Sequence, residues 1–557
     1  MSASTDVSAA SREVVFPGPD EIEGFWAFDK MHAPRPISRL SFDLVVTTLS
    51  EGFTKAQAEY DCPIMASNKP VNNYFYMSFH PVPDEAVIAD RMSRYLDTLA
   101  TKVPAIGKTW DEEWKPALRE KNLAARTTDY SPLTNAELVT KLDEMTDHMR
   151  HMWWMHGHIN FVLLSSSAFC DMYDRLFHPT ESTESYQTLQ GFHTRSVDAS
   201  QGLWDLSRTV RASTTLRPLF ETVDAKNLAA ALEATPEGKA FRAELDTYLH
   251  EFGWRSDAVY DLADVPWRED PTIPLSSIKS FASRPDSDNP HILYEKSVKQ
   301  REDLMAAARA KLADDPETLK EFETLYEAAR YSFPVTEDHA FYIDQLGVAV
   351  FRRLVLAIGV RLVKDGVVDA ADDVFQLSRD ELVESLQKGG DRRLLVAERR
   401  ASLQAAAQVI PPGALGTPPP PPETPDPFMD AVIVRLLGIV PPDENPDPLV
   451  IRGVAGSPGV YTGVARVVRS LNEAGELQDG EIMVCEMTLP PWVPMFSIAG
   501  AVVADVGGVL SHCAIVAREF DVPAVVGAQI GTVAIKTGQT ITVDGSKGIV
   551  YLDGRAA

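Results

Sequence analysis

The chain has 557 residues, 45% apolar, 24% charged and 8% aromatic, a composition that fills globular cores in several domains and excludes a disordered or fibrous protein. Its 80 acidic and 53 basic side chains leave a formal charge of −27, a field that repels nucleic-acid backbones and anionic membranes, so neither is expected as a partner. No uninterrupted run of about 18 apolar residues is present, the polar start carries no secretion signal, and Cys62, Cys170, Cys485 and Cys513 lie too far apart for a metal-type spacing; a cytoplasmic protein is expected.

In chain order, residues 1–20 read as a flexible start. Residues 21–408 are dominated by helical periodicity, seen at Asn135 to His151, Ala225 to Glu233, Lys299 to Leu312, Pro316 to Arg330 and Arg379 to Lys388. It is clearest at Glu337 to Lys364, where Val348, Phe351, Val355, Ile358 and Leu362 recur at spacings of three and four. β-alternation is scarce here, and clustered prolines and serines near 270–290 suggest a division. Residues 409–449 form a proline-rich linker with 13 prolines between Pro411 and Pro448, a composition that favours a semi-rigid extended spacer. Its apolar stretch from Ala431 to Val440 reads as a helix docked on a neighbour. In residues 450–557 short β-branched runs take over, at Val464 to Val468, Ile482 to Cys485, Ala501 to Ala504, Ala524 to Val526, Thr540 to Val543 and Ile549 to Leu552. One helix, from about Ser511 to Phe520, lies among them. The fold class expected is therefore multidomain: a mostly α-helical domain followed by a small C-terminal α/β domain.

The sharpest chemical signal is Asp505-Val-Gly-Gly-Val-Leu-Ser-His-Cys-Ala-Ile-Val-Ala-Arg-Glu519. The strand from Ala501 runs into a Gly507-Gly508 turn, and Ser511 and His512 open the helix. Glycines allow a sharp turn and close backbone approach, and a helix start offers unpaired N–H groups that stabilise an anion. A neutral imidazole there can act as a nucleophile. In isolation the same residues also read as a serine cap followed by a half-buried helical histidine.

The flanking motifs are Gly453-Val-Ala-Gly-Ser-Pro-Gly459, Gly463-Val-Ala-Arg-Val-Val468, Asp479-Gly-Glu-Ile-Met-Val484, Pro490-Pro-Trp-Val-Pro-Met-Phe496 and Gly538-Gln-Thr-Ile-Thr-Val-Asp-Gly545. With them, residues 452–552 resemble the phosphohistidine swivelling domain of the PEP-utilising enzyme family, which includes PEP synthase, pyruvate phosphate dikinase and rifampin phosphotransferase. The resemblance implies that His512 carries a phosphoryl group, with Gly507, Gly508 and Ser511 as its phosphate cradle. Arg518 is a further phosphate-binding candidate, or else a structural ion-pair partner.

Two further stretches, Phe25-Trp-Ala-Phe-Asp-Lys-Met-His-Ala-Pro-Arg-Pro-Ile-Ser38 and Glu337-Asp-His-Ala-Phe-Tyr-Ile-Asp344 with Asp372-Asp-Val-Phe-Gln-Leu377, resemble the opening and closing parts of the acceptor domain in rifampin phosphotransferase-like proteins. No glycine-rich nucleotide loop is evident in the helical part, and the sequence stops soon after the swivelling segment. The arrangement resembles the histidine-bearing subunit of phenylphosphate synthase and of the 4-cresol-phosphorylating system. It implies an ATP-dependent phosphotransferase of aromatic-compound degradation, charged by a separate ATP-grasp subunit with Mg²⁺, that passes the phosphoryl group to a phenolic hydroxyl. Another acceptor in the same relay, an antibiotic hydroxyl or a keto acid, and a non-catalytic phosphocarrier remain alternatives.

For the acceptor site the candidates are His339 and His32 as bases and Arg35 as the neutraliser of phosphoryl charge. Trp153, Trp154, His156, Arg255, Tyr260 and Tyr342 are candidate substrate contacts. Asp338 and Asp344 are candidates for orienting a histidine or holding Mg²⁺. Each has a plainer reading: His339 as a hydrogen-bonded core histidine, the tryptophans as packing, Arg35 as a helix cap, the carboxylates as solvated surface groups. The histidines at 151, 156 and 158 lack the spacing of a helical zinc site.

Overall fold

The computed structural model describes residues 14–555 apart from 31, 257–258, 420–426, 440–446, 470–472, 474–476 and 489–491. Residues 1–13 of the expected flexible start, residues 420–422 of the proline run, the Pro441-Pro442 pair and the opening of the Pro490 motif thus lie outside the described residues. About 58% of the chain is helical, with the strand-rich part at the C-terminal end, as the composition of the two halves implies.

The helical part is built on the long helix Asn135–Ile159. Thr134 caps its start: the Thr134 hydroxyl accepts from the Glu137 N–H at 3.3 Å, and the Glu137 carboxylate accepts from the Thr134 N–H at 2.8 Å. This helix packs closely on Thr47–Glu59 because both present glycine at the crossing. A Cβ on Gly52 would lie 2.6 Å from the Trp154 nitrogen, and one on Gly157 2.7 Å from the Ala56 Cβ. The close approach drives Trp153 and His156 into the core. Leu346–Lys364 packs against the same helix with the apolar face read from its spacing: Val348, Phe351, Val355, Ile358 and Leu362 are all buried.

Two expectations for this part are corrected. Strands Ile64–Val71 and Tyr74–Pro81 form an antiparallel hairpin, extended by Phe25–Phe28 and Ala414–Gly416. Its alternation is blurred because Tyr74, Phe75 and Tyr76 are all buried in succession. The clustered prolines and serines near 270–290 mark no break at 272–283 either, where the chain is the helix Thr272–Ser283. Its Pro274 lies in the first turn, where the missing N–H breaks no helical bond. That helix joins Arg195–Ala212 and Pro236–Phe252 around a second apolar core containing Leu203, Trp204, Phe241 and Phe281.

The C-terminal part is an eight-stranded sheet in the order Val450–Arg452, Ile549–Tyr551, Thr540–Asp544, Val460–Val468, Ile482–Cys485, Ala501–Ala504, Ala524–Val526, Val454–Ser457. Neighbours from Val460–Val468 to Ala524–Val526 are parallel and the rest antiparallel. Helix His512–Glu519 is the crossover between the parallel strands Ala501–Ala504 and Ala524–Val526, so its N-terminus lies at a strand's carboxyl end. In open α/β sheets this is where ligands meet the fold.

The proline-rich stretch is anchored at both ends of its described part. Ala414–Gly416 pairs with Phe25–Phe28, and Ala431–Leu436 is a helical turn with Ala431 buried beside Leu510 and Ile515. The two domains also meet through Lys30 with Glu486, Arg284 with Asp479 at 2.9 Å, and Lys296 with Asp521 at 2.5 Å. No described helix is long and apolar enough to cross a membrane.

Candidate active site

His512 is the first residue of its helix, and Ser511 caps it by accepting from the Ala514 N–H at 3.4 Å. The turn before it needs glycine at 507: φ there is +123°, and a Cβ would stand 2.7 Å from the Ser511 hydroxyl. The imidazole does not face solvent. It is 12% exposed, and its Nδ1 lies 2.9 Å from Glu337 Oε1 of the helical domain. An ionised carboxylate only accepts, so Nδ1 carries the hydrogen. Nε2 then keeps its lone pair, and it has no hydrogen-bond partner among the described residues.

Glu337 is itself buried and also accepts from the Ser196 hydroxyl at 2.7 Å. Burial pushes its carboxyl up, but His512, Ser196 and His339 outweigh it, and the group is held below the usual glutamate range. Glu337 was not singled out as a site residue in the sequence. The signal available was its place at the head of the Glu337-Asp-His339 motif.

Two residues on, His339 belongs to a buried cluster with His156 and Asp344; one donor atom from each lies within 4.8 Å of the other two. His156 Nδ1 is 3.1 Å from Asp344 Oδ1, and His339 Nε2 is 4.0 Å from Asp344 Oδ2. His339 Nδ1 donates to the Val335 carbonyl at 2.9 Å, which fixes its tautomer and leaves Nε2 as an acceptor. Burial, and then His156, push its pKa down to about 4, so the ring is neutral. Burial pushes Asp344 up, yet the three surrounding histidines 156, 339 and 32 hold it below the usual aspartate range.

His32 adjoins this cluster closely enough to feel the Asp344 charge. Its Nδ1 lies 3.0 Å from both carboxylate oxygens of Asp29, and its ring stacks on Tyr260 at 5.1 Å. Burial lowers its pKa, but Asp29 and Asp344 more than compensate, and the net shift is upward. Trp153 meets Tyr260 edge-on at 5.4 Å and His156 at 5.5 Å, so Trp153, His156, Tyr260 and His32 form one aromatic wall.

Other candidates stand elsewhere. The Gly507 and Gly508 N–H groups, expected to cradle phosphate, donate to the linker carbonyls of Leu437 at 3.0 Å and Leu436 at 2.7 Å. Arg518 is buried and donates to the carbonyls of Gly456 at 2.7 Å and Val509 at 3.0 Å, bonds that tie these two segments together. Trp154 sits about 100° round the helix from Trp153; it bonds Glu59 at 3.0 Å and stacks on His151, away from the wall. Arg255 is buried under Phe341 and donates to the carbonyls of Phe252 and Arg195. Tyr342 is buried between Phe341 and Trp110. Arg35 is half exposed and lies 3.6 Å from Asp264. Asp338 and Asp344 point to different partners: Asp338 accepts from the Arg195 N–H at 2.9 Å and pairs with Lys115 at 3.3 Å, while Asp344 faces the histidines.

Residues 477–548, which contain His512, match the family described as "PEP-utilising enzyme, mobile domain". The C-terminal sheet that bears His512 is similar to that mobile domain. Residues 152–337 match the "Rifampicin phosphotransferase fourth domain", a span that holds His156 and ends on Glu337. The two matches lie one in the helical part and one in the C-terminal sheet. The chain is 31% identical over 556 residues to "Chondramide synthase cmdD" of Chondromyces crocatus, covering 97% of this chain and 14% of that protein. It is 32% identical over 269 residues to "Uncharacterized phosphotransferase YvkC" of Bacillus subtilis, 47% of this chain and 31% of the other. It is 45% identical over 115 residues to "Phosphoenolpyruvate synthase" of Aeropyrum pernix, 20% of this chain and 14% of that one. The chain thus spans less than a third of each of these relatives. Glu337, the last residue of one match, lies 2.9 Å from His512 in the other.

Proposed function

We propose that this chain is a phosphotransferase component in which His512 Nε2 carries a phosphoryl group from ATP, loaded by a separate ATP-grasp partner with Mg²⁺, to a phenolic hydroxyl held by the helical domain. The observation that carries the reading is the His512–Glu337 contact: the carboxylate accepts from Nδ1–H and so leaves Nε2 as the nucleophile, without a hydrogen-bond partner among the described residues. In the loading step, with the mobile domain away from this position, Nε2 attacks the β-phosphorus of ATP on the partner; the P–N bond forms as the bond to the AMP oxygen breaks, and the γ-phosphate is released by hydrolysis, leaving AMP and phosphate. In the transfer step the acceptor oxygen attacks phosphorus in line, the P–N bond breaks, and its electron pair returns to Nε2.

The acceptor's proton goes to His32, whose Nδ1–H is held by Asp29 and whose other nitrogen is then a base. This pairing favours His32 over His339, which burial keeps a weak base. Trp153, Tyr260 and His156 pack as a buried aromatic layer behind His32, and a phenol ring that reaches His32 would lie beside that layer. Docking of the mobile domain excludes the water that would otherwise hydrolyse phosphohistidine.

The test is radiochemical. With an ATP-grasp partner and ATP labelled in the β-phosphoryl, the wild-type chain gains an acid-labile label that phenol or cresol discharges as aryl phosphate. His512→Ala gains none. A His512→Ala protein that still makes aryl phosphate overturns the relay, and a label that only rifamycin-like or keto-acid acceptors discharge overturns the phenol assignment.

A further inference from the structure

The His156, His339 and Asp344 cluster has the chemistry of a metal centre. Tetrahedral zinc with bonds of about 2.0–2.1 Å separates neighbouring ligand atoms by roughly 3.3 Å; the observed separations of 3.1 Å and 4.0 Å bracket that value. The His339 Nδ1–H donates to a backbone carbonyl, the arrangement by which metal-ligating histidines are oriented, and this turns Nε2 toward Asp344. Two imidazoles and one carboxylate suit a borderline transition ion and not Mg²⁺, which prefers an oxygen shell.

The backbone is shaped for this meeting. Five residues of regular α-helix turn about 500°, which would leave positions 339 and 344 some 140° apart. The wider π-turn Ala340–Gln345 between Ser332–His339 and Leu346–Lys364 brings them onto one face. Such turns recur at functional sites.

We propose that His156, His339 and Asp344 bind one zinc-class ion, with three protein ligands and an open position that takes the acceptor's hydroxyl oxygen. The proposal rests on the phosphoryl-transfer reading for the identity of that oxygen, but not for the metal itself. A dication beside one carboxylate leaves net positive charge, which the Glu337 and Asp29 carboxylates partly offset, and it stabilises the oxyanion formed when the acceptor's proton leaves to His32.

The full chain, stripped with chelator and without ATP or partner, is titrated with Zn²⁺ and separately with Co²⁺. The expected result is one zinc per chain and an intense visible Co²⁺ spectrum of tetrahedral type. His156→Gln and Asp344→Asn should each weaken zinc binding at least about 100-fold, while His512→Ala leaves it unchanged. The Co²⁺ spectrum of the wild-type chain decides the matter even if the substituted chains fail to fold. No stoichiometric zinc, zinc binding that survives both substitutions, or preference for Mg²⁺ overturns the site and leaves a hydrogen-bonded histidine–aspartate relay. Metal uptake is read without phosphoryl transfer, so its failure and that of the His512 relay are separate results.

Discussion

Glu337 and His512 stand 175 residues apart and in different domains, yet their side chains meet at 2.9 Å with the carboxylate fully desolvated. The contact sets the imidazole tautomer only while the mobile domain is docked. It therefore couples domain position to the chemistry of Nε2.

Glu337→Gln removes the charge that keeps Nδ1 protonated, so the ring leaves phosphorus less readily as neutral imidazole. Single-turnover discharge of the phosphorylated chain should slow roughly 100-fold. Loading of His512, which takes place away from Glu337, should change far less, and equal loss in both half-reactions would refute the coupling.

Glu519 titrates with docking. Burial, and then the Glu337 charge across the boundary, push its pKa up from 4.5 to about 8. In the undocked domain the carboxyl returns toward its ordinary value, so docking takes up a proton. The sign follows: the contribution of Glu519 to docking is full below pH 4.5, falls as pH rises toward 8 and is constant beyond, while that of Glu337, held low, is lost only in the acid range. Between pH 5.5 and about 8 Glu337 is already ionised and does not offset the trend. Small-angle scattering should show a growing extended fraction over that range, and Glu519→Gln should flatten the profile.

The linker is latched onto the elbow of the mobile domain. Arg435 pairs with Asp171 at 2.6 Å and Tyr186 at 3.0 Å, while its carbonyl accepts from the Leu510 N–H at 2.8 Å. A Cβ at Gly508 would meet that same carbonyl oxygen at 2.4 Å. Gly508→Ala should therefore expel residues 431–438 at a cost of about 1–3 kcal/mol without unfolding the sheet. Limited proteolysis should cut the linker faster in this variant and in Arg435→Ala, with unchanged far-UV circular dichroism.

Arg518 tests clamp against ligand. Burial lowers its pKa to about 10, and its two bonds hold the Gly456 strand to the Val509 loop. Arg518→Ala strands two buried carbonyls and should lower stability by about 3 kcal/mol, read as a fall in the thermal midpoint. If the folded fraction still loads His512 at the wild-type rate, the clamp role stands; a loading defect without loss of stability would restore the phosphate role.

Much of this protein was legible along the chain, because the features concerned are local. The Gly507–His512 elbow, its serine cap and the short buried strands depend on neighbours within a few residues, so the elbow that bears His512 and the helical and α/β parts could be read directly. The hairpin at 64–81 was hidden because its buried aromatics break the alternation that marks a half-exposed strand. What tertiary structure alone decided was which side chains meet. His156 and Asp344 are 188 positions apart, and a helical crossing at Gly52 and Gly157 brings one inward while a π-turn swings the other round. Arg518 and the Gly507-Gly508 amides carry the right chemistry for phosphate, but packing gave their donors to backbone carbonyls first. Residue type fixes what a side chain can do; its partners are set by close packing between distant segments, which no local periodicity encodes.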